Sequence, residues 1–178
     1  MTIEQVEGAV ESLYADYLAL EQELRDSPSG LTALNRSYHK HLLMAAASGL
    51  EGDVKRLVPL LFAKYGDEQL STFVAKRVMA RSYHTLFDWR AGNANAFFGS
   101  FGDTCGTAFK GAMKEDAELK TQHDAFIKLG QLRNEVVHND YASASIDSTP
   151  EEIMSRYALA LKFIARIEEF ITHGRTAS

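Results

Sequence analysis

The sequence predicts an all-α fold, a helical bundle of about five to seven helices. Three observations predict it. Apolar residues recur three and four apart along most of the chain, and no segment sustains the alternation of a strand. Only 3 prolines occur in 178 residues, too few for a loop-rich all-β fold. The last long periodic segment opens on a helix-capping sequence, Thr149-Pro150-Glu151-Glu152. With 46% hydrophobic and 24% charged residues, the composition is that of a globular chain, not of a disordered or membrane-embedded one.

Taken in order, Ile3, Val6, Val10, Leu13, Tyr17, Leu20 and Leu24 form a heptad seam on a helix with acids elsewhere on its surface. Residues 1–30 are therefore expected to be an amphipathic helix, packed on or beside a helical domain of residues 31–178. Asp26-Ser27-Pro28-Ser29-Gly30 ends that helix with turn residues. A second helix is expected over about residues 31–65, kinked or bounded by Pro59, with Gly66-Asp67 as its stop. Residues 68–81 read as a shorter helix with Leu70, Phe73, Val74, Val78 and Met79 inward. Residues 82–106 lack periodicity and contain Trp89 and Gly92, Gly99, Gly102 and Gly106; a short helix is expected near 95–101, and a further turn or two over 107–115. A longer helix should cover about 117–137, followed by a loop over 139–148. The last helix starts at Thr149 as N-cap with Pro150 at N1 and Glu152 at N3, and runs to about residue 171, with Gly174 as its stop.

The net charge of -5 speaks against a chain that is basic throughout, but the charge is unevenly spread. Residues 1–30 carry -6, residues 31–114 carry +5 and residues 115–178 carry -4. Each cation of the middle segment taken singly reads as solvated helix surface. Taken together, Lys76, Arg77 and Arg81 are candidates for phosphate contacts. A lone cysteine, Cys105, excludes an internal disulfide and reads as a small buried residue. No apolar run approaches the roughly 18 residues of a membrane span, and the acidic start Met1-Thr2-Ile3-Glu4 has no basic signal-peptide region, so a cytoplasmic location is expected.

The chemistry-bearing string is Arg133-Asn134-Glu135-Val136-Val137-His138, at the end of an expected helix. At about 100° per residue, Asn134 and His138 share a face, while Arg133 and His138 stand about 140° apart. Bringing the last two to one small site takes a distorted helix end or a second copy of the motif across a two-fold axis. These residue types suit phosphodiester cleavage. A histidine gives and takes protons near neutrality, an arginine stabilises charge on phosphate oxygens, and an asparagine orients either one. In RNA the 2'-hydroxyl is a built-in nucleophile, so no metal or other cofactor is expected. The spacing alone is also that of a helix-terminal histidine near the helix dipole beside a surface arginine.

The string resembles the R-x4-6-H motif of the HEPN superfamily of helical ribonucleases, including its polar residue after the arginine. More of the chain is similar to the RiboL-PSP-like HEPN branch: Tyr38-His39-Lys40-His41-Leu42-Leu43, Tyr83-His84-Thr85-Leu86-Phe87-Asp88-Trp89, Asn93-Ala94-Asn95 before Phe97-Phe98-Gly99, and Leu132 through His138. The resemblance spans about residues 36–170. It implies a homodimer with motif helices near the two-fold and metal-independent RNA cleavage in toxin–antitoxin or anti-phage defence, with an antitoxin or regulatory protein as a further partner. In such a site His138 serves as general acid or base, Arg133 holds the scissile phosphate and Asn134 orients groups. An acid from a neighbouring helix often joins them, and Glu51 or Asp53 is the candidate here.

A different class of function is a catalytically silent HEPN dimerisation or adaptor module in a two-protein defence system. A nucleotidyltransferase or kinase would need a phosphate loop, and no Gly-Lys-Ser/Thr follows the glycines at 99, 102 and 106. His39 and His41 lie about 200° apart on a helix and cannot chelate one metal together. His39 and His84 read as structural, Trp89 as core, and Asn93 and Asn95 as caps of a short helix.

Overall fold

The structure, a computed structural model, describes residues 4–66, 68–79, 83, 85–139, 141 and 144–172, with side chains from residue 8 onward. Arg81, His84, Gly174 and the seam positions Ile3 and Val6 lie outside the described side chains. The fold is all-α. The helices are α1 (Glu4–Glu23), α2 (Pro28–Tyr65), α3 (Glu68–Phe73), α4 (Asn95–Gly99), α5 (Asp103–Glu115), α6 (Ala117–His138) and α7 (Pro150–Ile171), and α3 continues into a π-helical turn, Val74–Met79. Among the described residues there is no strand, only an isolated bridge between Asp88 and Asn93.

The centre of the molecule is the antiparallel pair α6 and α7, with α2 laid against both. α1 packs on α2, and α5 closes the far side against α6 and α7. The core is aromatic. Phe98 stacks on Phe109 with ring centroids 4.0 Å apart, and Phe87 stacks on Phe97 at 4.7 Å. Phe126 of α6 meets Phe87 edge-on at 4.9 Å and Phe163 of α7 at 5.3 Å. α7 begins as expected: Thr149 Oγ1 accepts from the Glu152 N–H, and the Glu152 carboxylate accepts from the Thr149 N–H.

α1 docks through Val10 and Tyr17, both buried. The Tyr17 hydroxyl contacts Glu21 and Asn35 at 3.0 Å, and the Tyr38 hydroxyl of α2 donates to the Leu13 carbonyl at 3.2 Å. Leu20 departs from the seam and is exposed. A straight helix drifts about 20° per heptad from a strict seven-residue repeat, so the seam turns off the α2 surface toward its end.

Three further expectations need correction. Of the two outcomes expected at Pro59, a bound is the one that fails, since α2 runs through it to Tyr65. The neighbours Val58 and Leu61 are buried on either side, and the Pro59 carbonyl accepts from the Ser71 hydroxyl at 2.8 Å, so packing offsets the missing N–H. α2 also begins earlier than expected, at Pro28, because Ser27 is an N-cap whose Oγ accepts from the Gly30 N–H. Finally, Leu70 and Phe73 are exposed rather than inward. The chain leaves α-helical register at Val74, and the π pattern of i to i+5 brings the buried pair Val74 and Met79 to one side. In an α-helix these two would stand about 140° apart.

Candidate active site

The motif occupies the last turn and a half of α6, where Arg133 and Asn134 are half-buried and His138 is exposed. Arg133 Nη1 donates to Asn134 Oδ1 at 3.1 Å. That bond uses the amide oxygen of Asn134 and leaves its NH2 as the group that can donate outward. Asn139 caps the helix end, its backbone N–H and its side-chain amide both donating to the Glu135 carbonyl.

Facing α6 is a strap formed by residues 88–93. The Asp88 and Asn93 backbones bond each other in both directions, Asp88 Oδ1 accepts from the Ala91 N–H at 2.8 Å, and Gly92 takes a positive φ of 69°. The strap is pinned to α6 in two places. Gln131 Nε2 donates to the Trp89 carbonyl at 2.8 Å. The benzo edge of Trp89 lies so close over Gly130 that the helix there has no room for a side chain.

Between α2, α6 and the strap lie two adjoining hollows. The inner one is lined by Glu51, Tyr83, Trp89, Gly130, Arg133 and Asn134, and its volume of about 10 Å³ is room for one water at most. The outer one is an open cleft of about 460 Å³ lined by Trp89, Arg90, Gln131, Asn134, Glu135 and His138. Arg133 faces the inner hollow and His138 the outer, as their angular separation requires. Asn134 and Trp89 line both. The fold thus brings Glu51 to Arg133 and Asn134, while His138 shares with them only the Asn134 amide.

Glu51 accepts an ion pair from Lys55 one turn on. Lys55 Nζ in turn stands 5.7 Å from the centroid of the Tyr83 ring. The Tyr83 hydroxyl is held far above its ordinary range, first by burial and then by the Glu51 carboxylate, with Arg133 acting in the opposite sense. It therefore stays protonated and is a hydrogen-bonding group, not a base. Asp53, the other candidate acid, is buried and bound to Arg56 and lines neither hollow.

Lys76 and Arg77 are exposed on the π-helical turn and line neither hollow, and Arg81 lies outside the described residues. The cation that does line the cleft is Arg90, which sequence reasoning counted only among the basic middle of the chain. Its signal was weak: Asp88, Gly92 and Asn93 mark a turn, but nothing in their spacing says which helix the turn lies against. Trp89, expected as core, packs on Tyr83, Phe87 and Phe126 yet keeps part of its surface at both hollows.

His39 and His123 are structural by their surroundings. His123 is buried; Nε2 accepts from the Ala94 N–H at 3.2 Å and Nδ1 lies 2.9 Å from Asp124, which fixes a neutral ring with its proton on Nδ1. Burial depresses its basicity, partly offset by Asp124. Burial likewise depresses His39, against the opposing pull of Glu151, the Ser148 backbone and Glu21. Cys105 is buried and its thiol is pushed up by that burial, which removes the nucleophilic thiolate. Among the described residues, no three His, Cys, Asp or Glu side chains converge as a metal site, and no helix is long and apolar enough to cross a membrane.

The structure is thus an all-α bundle that presents Arg-Asn-x3-His at the end of a central helix, beside an open cleft. The chain belongs to the HEPN superfamily: the family model for RiboL-PSP-HEPN matches residues 10–173. No curated protein and no solved structure matches it.

Proposed function

We propose that the chain is a metal-independent endoribonuclease that acts as a homodimer in toxin–antitoxin or anti-phage defence. The observation that carries this reading is the position of His138, exposed at an open cleft that also holds Arg90 and the Asn134 amide. A histidine under a packed side chain would have had no access to substrate.

In the reaction, the RNA 2'-oxygen attacks the adjacent phosphorus as its proton passes to a base. The bond from phosphorus to the 5'-oxygen breaks, and that oxygen takes up a proton. The products are a 2',3'-cyclic phosphate and a 5'-hydroxyl. His138 exchanges one of these protons, a role worth roughly 10²–10⁴-fold. The guanidinium of Arg133 stabilises charge on the phosphate oxygens. Within one chain Arg133 lines the narrow inner hollow beside Glu51. A second copy related by a two-fold at the end of α6 would place two Arg-Asn-His sets around one substrate. Glu51 acts on Arg133 from the same hollow as a positioning residue.

The test is cleavage of cellular RNA in excess EDTA by wild type, His138→Ala and Arg133→Ala, with the 3' ends of the products analysed. Wild type alone should cut, leaving cyclic phosphate. A second reading is favoured by the half-buried position of Arg133 at a hollow with room for one water at most: a silent dimerisation or adaptor module restrained by, or serving, a partner protein. Absence of cleavage from folded, dimeric wild type would select it.

A further inference from the structure

The cleft beside His138 has one wall that the reaction above leaves without a task. Trp89 and Arg90 are consecutive on the strap, and both line this cleft. Apart from the His138 imidazole, Trp89 is the only ring side chain lining it among the described residues. The Trp89 ring is not free to turn away. Gly130 backs its benzo edge, the Tyr83, Phe87 and Phe126 rings lie 5.3–6.1 Å from it by centroid, and Gln131 holds its carbonyl. Arg90 is exposed, with no ion-pair partner among the described residues.

A fixed, partly exposed indole beside an unpaired guanidinium is the pairing that recognises unpaired nucleotides: a flat apolar surface for a base and a cation for its phosphate. A base in a duplex is stacked on both faces and cannot offer one to the indole.

We propose that Trp89 and Arg90 form a nucleotide subsite next to His138, which takes one unstacked base of single-stranded RNA on Trp89 and its phosphate on Arg90. The identity of the ligand rests on the ribonuclease reading; the subsite itself rests on the geometry of the strap. The consequence is selectivity for single strands and loops over duplex. Glu135, which lines the same cleft, opposes the phosphate and sets an upper limit on its affinity.

Trp89 is the only tryptophan of the chain, so its fluorescence reports this subsite alone. The full-length protein is titrated with an unstructured ten-nucleotide RNA fully methylated on its 2'-oxygens, which cannot be cut by 2'-oxygen attack. The same strand annealed to its complement is titrated in parallel. The single strand should quench the emission saturably, and the duplex should need at least about tenfold higher concentration. Arg90→Ala should weaken single-strand binding about tenfold and keep the final quench, while Arg25→Ala, an exposed cation outside both hollows, should stay within about twofold. Binding detected by anisotropy of a labelled RNA without any change in Trp89 emission would overturn the proposal. So would equal binding of duplex and single strand, or equal weakening by both substitutions. Quenching by a protein that fails to cut ordinary RNA would sink the ribonuclease reading and keep the subsite, and cleavage without quenching would do the reverse.

Discussion

A Cβ placed on Gly130 would stand 2.0 Å from Cζ3 of Trp89 and 2.5 Å from Cε3. The motif helix and the strap therefore meet at a point where only a hydrogen atom fits. Gly130→Ala should force the indole off α6 and cost about 1–3 kcal/mol, the range of an overpacked core. The control is Gly111→Ala in α5, where a Cβ meets nothing within 4 Å and helix propensity should add about 0.5–1 kcal/mol. Denaturant midpoints of the two variants should move in opposite directions, and only Gly130→Ala should red-shift the tryptophan emission.

How far the sequence reached depended on whether a feature was local. The Thr149–Glu152 capping box was legible because its partners are three residues apart, and it is present as read. The divergence of Arg133 and His138 was legible for the same reason, being a property of one helix. The strap against α6 was not, because Trp89 and Gly130 are joined only by the tertiary fold. The 68–81 segment failed differently: reading Leu70, Phe73 and Val74 on a 3.6-residue period presupposed one helix type, and the change to π register at Val74 removed that premise. Pro59 is a reminder that propensity ranks local cost only, and burial of Val58 and Leu61 outweighs it.

Asn134 is the only motif side chain at both hollows, so its substitution should separate the two. Asn134→Ala removes the acceptor for Arg133 and a donor at the cleft together, and kcat should fall about 10- to 100-fold. Glu51→Gln leaves the outer cleft intact, removes the charge that pairs with Lys55 and weakens the field at Arg133, so its loss should be smaller, about tenfold or less, with KM little changed. Steady-state kinetics on one RNA decide it: a Glu51→Gln loss equal to that of His138→Ala would make Glu51 a catalytic residue and not a positioning one.

His123 gives stability a definite pH dependence. Its native basicity is depressed by burial, so the unfolded chain binds the proton first as pH falls. Its contribution is intact above about pH 6.5 and is lost as pH falls from there toward the native value. The free energy of unfolding should thus decline between pH 7 and pH 5. His123→Gln keeps an acceptor for the Ala94 N–H without a titrating ring, and its decline should be shallower. The slope that remains belongs in part to His39, whose basicity is depressed in the same direction. Urea titrations at half-unit intervals measure both slopes, and parallel slopes would remove His123 from this role.

Asp116 joins the start of the motif helix to α7 with separate oxygens. Oδ1 accepts from the Leu119 N–H at 2.9 Å as the N-cap of α6, and Oδ2 accepts from Arg166 Nη1 at 2.7 Å. Both interactions favour the charged form, the Leu119 bond first, and hold this carboxyl below its usual range. Stability from a depressed carboxyl is complete above its unfolded value of about 3.9 and is lost as pH falls through the lower native value. Asp116→Asn keeps a capping oxygen and loses the ion pair, whereas Asp116→Ala loses both. Melting temperatures at pH 7 should therefore rank wild type, then Asn, then Ala. Near pH 2 the wild type and the Asn variant should converge, because the protonated acid no longer pairs with Arg166. At 1 M salt the same two should also approach each other, since the pair is partly exposed and screened, while the gap between Asn and Ala, a matter of hydrogen bonding, should persist. A gap between wild type and Asn that ignored both salt and acid would place the role of Asp116 in the cap alone.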